Sequence, residues 1–151
     1  MEVIKPTLRD VESMQRLVKP YVEEGIILAR SDDEVASTIR SYMVVKKQEE
    51  ILGFASLFIY THEFAEVRSL AVAKKHQRNG VGSAVVKALI EEGRKLGLRQ
   101  ILTLTYHSDF FKRLGFKEVA KEEVWHHKVW EDCIKCRHFP VCDELALILN
   151  L

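Results

Sequence analysis

The spacing of apolar and polar residues predicts a strand, a glycine turn and a long helix in the middle of the chain. Residues Phe64–Val72 alternate as in a half-buried strand, and the turn after them contains Gly80 and Gly82. From residue 83 to 96, apolar side chains recur at the spacing of one helix face. Because a helix start leaves backbone N–H groups unpaired, this turn is predicted to bind a phosphate or diphosphate group.

The same patterns predict the other elements, which alternate between strands and helices along the chain. Strands are predicted at residues 3–6, 42–46, 51–60, 99–106, 116–119 and 144–151, and further helices at 7–19, 31–41 and 109–114. Ser31 and Glu34 have the spacing of a capping box at the start of the second helix. The order predicts an α+β fold with a mixed sheet and helices on both faces.

Size and charge narrow the class of protein. A length of 151 residues predicts one domain, covering residues 1–151, and a net charge of +1 gives no general attraction for nucleic acid or an anionic membrane. No apolar run approaches the roughly 20 residues that cross a bilayer, and the first residues lack the apolar stretch of a signal peptide. We therefore expect a cytoplasmic protein with a small-molecule substrate, without nucleic-acid or membrane partners.

The glycine turn has an unusual motif for a nucleotide site. It lacks the third glycine of a dinucleotide fingerprint and the Lys-Ser or Lys-Thr pair of a nucleoside-triphosphate loop. The segment Gln77-Arg78-Asn79-Gly80-Val81-Gly82 resembles instead the acetyl-CoA diphosphate loop of the GNAT (Gcn5-related) N-acetyltransferases. An ordinary glycine turn before a surface helix is the alternative on the motif alone.

The resemblance to GNAT enzymes continues beyond this loop, over residues 1–120 and the final strand. Several segments together resemble the short-form N-acetylglutamate synthases, namely residues 28–31, 65–72, 104–111, 129–133 and 142–144. This resemblance implies a mostly antiparallel GNAT-type sheet, acetyl-CoA as co-substrate and L-glutamate as acceptor, in the first step of arginine biosynthesis. It also implies a homodimer, from the habit of the family. Another amino acid or small amine as acceptor, or a non-catalytic CoA-binding regulatory module, are the alternatives.

Two charged residues of the strand before the turn are candidates for catalysis and binding. Glu66 is at the position where many GNAT enzymes have a glutamate base, and its alternative is a solvated carboxylate at a strand end. Arg68 points to the same face of the strand two residues later. It could therefore hold Glu66 ionised or bind a carboxylate of the substrate.

The resemblance also assigns backbone groups to the cofactor and to the reaction. It implies that the strand splays from its neighbour, that the N–H of Leu70 stabilises the oxyanion, and that Ala71 and Val72 follow the pantetheine arm. Gln77 opens the loop, and the diphosphate would rest on the N–H groups of Arg78, Asn79, Gly80, Val81, Gly82 and Ser83. Acetyl transfer would be direct, within a ternary complex of enzyme, acetyl-CoA and amine.

The acceptor pocket needs cations if glutamate is the substrate. Arg30 is the candidate, because a guanidinium binds a carboxylate with two hydrogen bonds; a surface charge is its alternative. Tyr106 and His107 close the fifth strand, where sites commonly form, and His107 is a candidate substrate-binding residue. In many GNAT enzymes a tyrosine at the position of Phe111 acts as general acid towards the leaving thiolate. Phenylalanine cannot donate a proton. Tyr106 is therefore the candidate acid, or else a packed aromatic residue.

An irregular segment, residues 121–143, contains all three cysteines of the chain. Cys133 and Cys136 form a C-x-x-C motif, with His138 and Cys142 after it. Three thiolates and one imidazole could close a tetrahedral zinc site. Reduced free thiols are the favoured interpretation, because the second half of such a site is poorly formed; a structural zinc ion or a redox pair are the alternatives.

Overall fold

A computed structural model of the protein describes residues 1–124 and 144–151. The strands are β1 Glu2–Ile4, β2 Tyr42–Lys47, β3 Glu50–Ile59, β4 Phe64–Val72, β5 Gln100–Thr105, β6 Lys117–Val119 and β7 Leu145–Asn150. The α-helices are α1 Val11–Glu23, α2 Asp32–Ser37, α3 Val81–Leu96 and α4 Ser108–Arg113. Short 3-10 helices cover Leu8–Asp10, Ile39–Ser41, Lys74–His76 and Lys121–Val124. In this part of the chain, no helix has both the length and the apolar character needed to span a membrane.

The strands form one mixed sheet in the order β1-β2-β3-β4-β5-β7-β6. The pairing of β4 with β5 is parallel, and the other described pairings are antiparallel. The helix α3 packs against one face of the sheet through Val85, Val86 and Leu89, which are fully buried. Helices α1 and α2 cover part of the opposite face through Met14 and Val35. The predicted α+β sheet with helices on both faces is therefore confirmed.

Two predicted helix ends were wrong. The sequence predicts that α1 stops at Lys19, before Pro20, but the helix continues to Glu23. Pro20 removes one backbone donor, and burial of Val18 and packing of Tyr21 against the same apolar cluster offset that loss. The helix α2 ends at Ser37, whereas the prediction extends to residue 41.

The early end of α2 has a local cause. The hydroxyl groups of Ser37 and Thr38 donate hydrogen bonds to the carbonyl oxygen of Glu34, at 3.1 Å and 2.8 Å. Such side-chain bonds offer the backbone an alternative to the helical ladder. The predicted capping box at the start of this helix is present, since the N–H of Glu34 donates to Ser31 Oγ and the N–H of Ser31 donates to the Glu34 carboxylate.

A gap opens between β4 and β5. The two strands pair from Phe64 with Gln100 to Val67 with Thr103, although β4 continues to Val72. A β-bulge lies at this point, because three steps along β4, from residue 68 to 71, face two steps along β3, from 56 to 54. Ser69 has a φ of 56° in the bulge, which is uncommon for a residue with a side chain. A bulge bends and twists the strand that contains it, which accounts for the separation from β5.

Candidate active site

The glycine turn forms the N-terminus of α3. Gly80 has a φ of 79° and precedes the first helical residue, Val81, while the N–H of Ala84 donates to the Gly80 carbonyl at 3.0 Å. Arg78 also has a positive φ, of 68°. The helix contains no acidic residue in its first turn, and no described side chain caps it. The first N–H groups of this 16-residue helix, with the positive end of its dipole, therefore form an anion-binding end.

Two glycines let this helix start lie close to the sheet. A Cβ atom on Gly53, in β3, would be 2.7 Å from Val81 Cγ1 and 3.0 Å from the Ala71 carbonyl oxygen. A Cβ atom on Gly82 would touch the ring of Phe110 at 3.4 Å. The absence of a side chain at Gly53 therefore places the anion-binding end of α3 directly against the end of β4.

The last residue of β4 exposes its backbone to the gap. The N–H of Ala73 donates to the Leu52 carbonyl at 2.8 Å, and Val72 is the register partner of Gly53. In an antiparallel pair this pattern directs the N–H and C=O of Val72 away from β3, on the side of β5. The gap is therefore lined by peptide groups from β4, next to the glycine turn.

Glu66 lies on the face of the sheet that α1 and α2 partly cover, one residue before the pairing with β5 ends. It is 7 % exposed and has two described partners. The hydroxyl of Tyr60 donates to its Oε1 atom, and Arg68 Nε lies 3.2 Å from the same oxygen. The alternative of a solvated carboxylate was therefore wrong, because Glu66 is buried and paired.

Arg68 completes a cluster with Glu66 and Tyr60. Its Nη2 atom donates to the Tyr60 hydroxyl at 2.7 Å, and its guanidinium carbon lies 3.9 Å from the centre of the Phe58 ring. The side chains of Arg68 and Glu66 are each only 9 % exposed. Both donors favour the charged form of the Glu66 carboxylate, whereas its burial opposes that form.

Tyr60 was not among the residues predicted for the site. Its signal was present in the sequence, since the hairpin β3–β4 pairs Phe58 with Glu66, and Tyr60 follows Phe58 on the same face. Burial raises the pKa of Tyr60 well above its ordinary value, and the charge of Glu66 and the hydrogen bond to it act in the same direction. Arg68 opposes this shift. Tyr60 therefore remains a protonated donor near neutral pH and is poorly suited to act as an acid.

Arg30 lies in the segment between α1 and α2, where other residues fix its backbone. The side-chain amide of Gln15 donates to the Arg30 carbonyl at 2.7 Å and to Asp32 Oδ1 at 3.1 Å. Burial raises the pKa of Tyr42, while the positive charges of Arg30 and Arg68 both act to lower it. The two predicted carboxylate-binding arginines therefore both exert their positive charge on Tyr42.

The residues after β5 lie across the gap from the bulge. Tyr106 and His107 follow the last residue of β5, beyond the Val67–Thr103 pair. Tyr106 is 38 % exposed, and the N–H of His107, which precedes α4, donates to Thr105 Oγ1 at 2.8 Å. Both residues lie just after β5, which ends at Thr105, one residue earlier than predicted.

Phe111 is a packing residue, as its chemistry predicts. It is 3 % exposed and packs edge-on against Phe110 and Phe116. The position that the resemblance aligns with a general acid is therefore occupied by part of the hydrophobic core.

A polar cleft lined by described residues lies apart from this site. Cys133, Cys136, His138 and Cys142 fall outside the described residues, so the prediction about zinc is not tested. Within residues 1–124 and 144–151, no group of three or more His, Cys, Asp or Glu residues could hold a metal ion. A polar cleft of about 770 Å³ lies where β4 and β5 begin, at the far end of the sheet from the glycine turn. None of the predicted site residues lines it.

Comparison with known proteins identifies the family. The sequence profile described as the acetyltransferase (GNAT) family matches residues 6–116. The chain belongs to the GNAT family of acetyltransferases. An uncharacterized N-acetyltransferase of Chlorobaculum tepidum is 34 % identical over 144 residues, which are 95 % of this chain and 92 % of that protein. Together these matches assign this GNAT protein as an acetyl-CoA-dependent N-acetyltransferase.

More distant similarities relate this GNAT chain to amino-acid acetyltransferases. The amino-acid acetyltransferase of Aeromonas salmonicida is 26 % identical over 120 residues, or 78 % of this chain, which spans only 27 % of that protein. The crystal structure of N-acetylglutamate synthase from Neisseria gonorrhoeae, complexed with coenzyme A and N-acetyl-glutamate, has a TM-score of 0.88 and 20 % identity. It covers 99 % of this chain and 35 % of its own, and shows that the fold is shared.

Proposed function

We propose that the protein transfers the acetyl group of acetyl-CoA to the α-amine of an amino acid, with L-glutamate as the acceptor. The observation that carries the proposal is the buried Glu66, held by Tyr60 and Arg68 at the point where β4 and β5 separate. A paired carboxylate beside an opening in a sheet is suited to removing a proton from a bound amine.

The cofactor is proposed to run from the glycine turn into the gap. Its diphosphate binds the N–H groups of Arg78, Asn79, Gly80, Val81, Gly82 and Ser83, next to Gln77. The pantetheine arm follows the backbone of Leu70, Ala71 and Val72. The N–H of Val72, which points towards β5, supports this path. Such backbone donors need no particular side chain, which agrees with the exposed, uncapped turn.

The reaction is proposed to proceed by direct attack of the amine on the thioester. Glu66, directly or through a water molecule, takes a proton from the α-ammonium group, and the neutral nitrogen forms a bond with the acetyl carbon. The N–H of Leu70, which lies within the bulge between Arg68 and Ala71, stabilises the oxyanion. The carbon–sulfur bond then breaks, and Tyr106 supplies a proton to the leaving thiolate. The nitrogen loses its second proton to solvent, from which Tyr106 is protonated again.

The preference for glutamate is proposed from charge. The positive charges of Arg30 and Arg68 both act to lower the pKa of Tyr42, so both contribute positive charge near the covered face. A dicarboxylate amino acid presents two anionic groups that such a pair can bind. His107 is proposed to contribute at the open end of β5. The similarity to amino-acid acetyltransferases supports this acceptor and a place in arginine biosynthesis.

Thiol release tests the proposal. The purified protein is incubated with acetyl-CoA and each of a panel of amino acids and small amines, and free CoA is measured. We expect the largest kcat/KM with L-glutamate and an N-acetylated product by mass spectrometry. A larger kcat/KM with another amine would show that this amine, and not L-glutamate, is the acceptor, and the proposed acetyltransferase activity would stand. Tight CoA binding without turnover of any amine would favour a regulatory CoA-binding module.

A further inference from the structure

The C-terminal end of α1 is joined to the segment that follows β4. The hydroxyl of Tyr21 donates to the Val72 carbonyl, and Gln77 Nε2 donates to the same hydroxyl at 2.6 Å. Tyr21 therefore binds both the last peptide of the gap and the first residue of the glycine-turn motif. Neither contact was predicted from the sequence.

A second contact strengthens this junction. Lys74 forms an ion pair with Glu24, and its Nζ atom lies 5.5 Å from the centre of the Tyr21 ring. Both charged side chains are about half-exposed, so the ion pair alone contributes little. The hydroxyl of Tyr21 has the stronger structural role, because the carbonyl that it binds points into the gap between β4 and β5.

The backbone of Tyr21 also contacts the segment between α1 and α2 that contains Arg30. Its carbonyl accepts hydrogen bonds from the N–H groups of Ile26, at 2.9 Å, and Ile27, at 3.3 Å. These residues begin the segment that leads to Arg30, and Ile27 packs against the apolar cluster that includes Ala71. One residue therefore fixes the start of the Arg30 segment through its backbone and the end of β4 through its side chain.

We propose that Tyr21 is a positioning residue that couples the cofactor site to the acceptor site. Ordering of the Val72–Gln77 segment by bound cofactor is passed through Tyr21 to the Arg30 segment, and each ligand then raises the affinity for the other. The coupling is reciprocal by thermodynamic necessity. The inference rests on the proposed function in one respect, namely that Arg30 binds the acceptor.

Calorimetric titration with CoA, in the absence and presence of saturating L-glutamate, measures the coupling. CoA has no acetyl group, so no reaction occurs. We expect glutamate to tighten CoA binding to the wild type. Tyr21→Phe, which removes the hydrogen bonds to Val72 and Gln77, should reduce this tightening by about five-fold or more. The same change is expected to weaken CoA binding alone. The KM for glutamate should rise, while kcat and its pH profile stay unchanged.

Gln100→Leu is the matched control. Its side-chain amide also joins two distant segments, by donating to Asn150 Oδ1 at 2.9 Å, but at the far end of the sheet. It should leave both CoA affinity and coupling unchanged. Equal coupling in wild type and Tyr21→Phe, or a lowered kcat with unchanged affinities, would overturn the inference. Failure of L-glutamate to bind the wild type would instead overturn the acceptor assignment, and an unchanged CoA affinity in Tyr21→Phe would still refute the role of Tyr21.

Discussion

The Tyr60 hydroxyl donates a hydrogen bond to the Glu66 carboxylate. Both side chains lie on the face of the sheet that α1 and α2 partly cover. Both residues are less than 8 % exposed, and Arg68 contacts both of them. The carboxylate therefore has fixed donors before any substrate is present. This relationship gives the proposed base its position and its charge, and it leads to two predictions about Tyr60.

Tyr60→Phe should shift the pH dependence of kcat/KM. Loss of the hydroxyl removes a donor that favours the ionised form of Glu66, so the ascending limb of the profile should move to higher pH. We expect kcat/KM near pH 7 to fall about ten-fold and to recover towards the wild-type value at alkaline pH. Steady-state kinetics across the pH range measures this.

Tyr42→Phe separates this effect from the loss of a buried hydroxyl group. Tyr42 is 3 % exposed on the same face, and the largest effects on its pKa come from burial and from Arg30 rather than from Glu66. Its substitution should leave the position of the ascending limb unchanged. Identical limbs in wild type and Tyr60→Phe would show that Tyr60 does not influence the base.

Tyr60 should also shape the stability of the protein at alkaline pH. Its pKa is raised in the folded state, so the favourable contribution is complete below the unfolded pKa of about 10 and is lost as pH rises above that value. The free energy of unfolding of the wild type should therefore decline above about pH 10, and less steeply in Tyr60→Phe. Urea denaturation at several pH values measures this, and parallel declines would contradict it.

Gly80→Ala should weaken cofactor binding specifically. Gly80 has a positive φ and an added Cβ atom would meet no neighbour, so the cost is backbone strain, of about 1 kcal/mol. A shifted turn would misdirect the N–H groups proposed for the diphosphate. We expect CoA affinity, measured by titration calorimetry, to fall about ten-fold or more.

Gly97→Ala is the control for this change. Gly97 ends the same helix with a φ of 88°, and it also has open space around it. Both variants should lose similar thermal stability, but Gly97→Ala should keep the wild-type affinity for CoA. Equal affinities in the two variants would show that the glycine turn does not bind the cofactor.

Much of the fold could be predicted because the apolar positions of each helix and strand in the sequence are the ones that the fold buries. The period of the apolar residues located α3 and β4 to within two residues, and the capping box located the start of α2. The end of α1 could not be predicted, because the packing of Tyr21 beyond Pro20 depends on the distant Val72. The end of α2 depends on hydroxyl–carbonyl bonds that compete with the helix.

Site residues could be predicted where a local motif or strand alternation identifies them. They could not be predicted where they depend on a contact between two segments. The glycine turn and the shared face of Glu66 and Arg68 followed from the motif and from strand alternation. The partner Tyr60 required the register of the β3–β4 hairpin, and the junction at Tyr21 required the packing of α1 on the sheet. The first is a relation across one hairpin and depends on its register, whereas the second joins segments that are distant in the sequence.

The pH dependence of Glu66→Gln turnover tests the central claim most directly. Glutamine keeps the shape of the side chain but cannot accept the proton of the α-ammonium group. With acetyl-CoA and L-glutamate, we expect kcat to fall about 100-fold or more at pH 7 and to recover partly at high pH, where the amine is already neutral. A turnover rate equal to that of the wild type at pH 7 would contradict the account and remove Glu66 from the reaction.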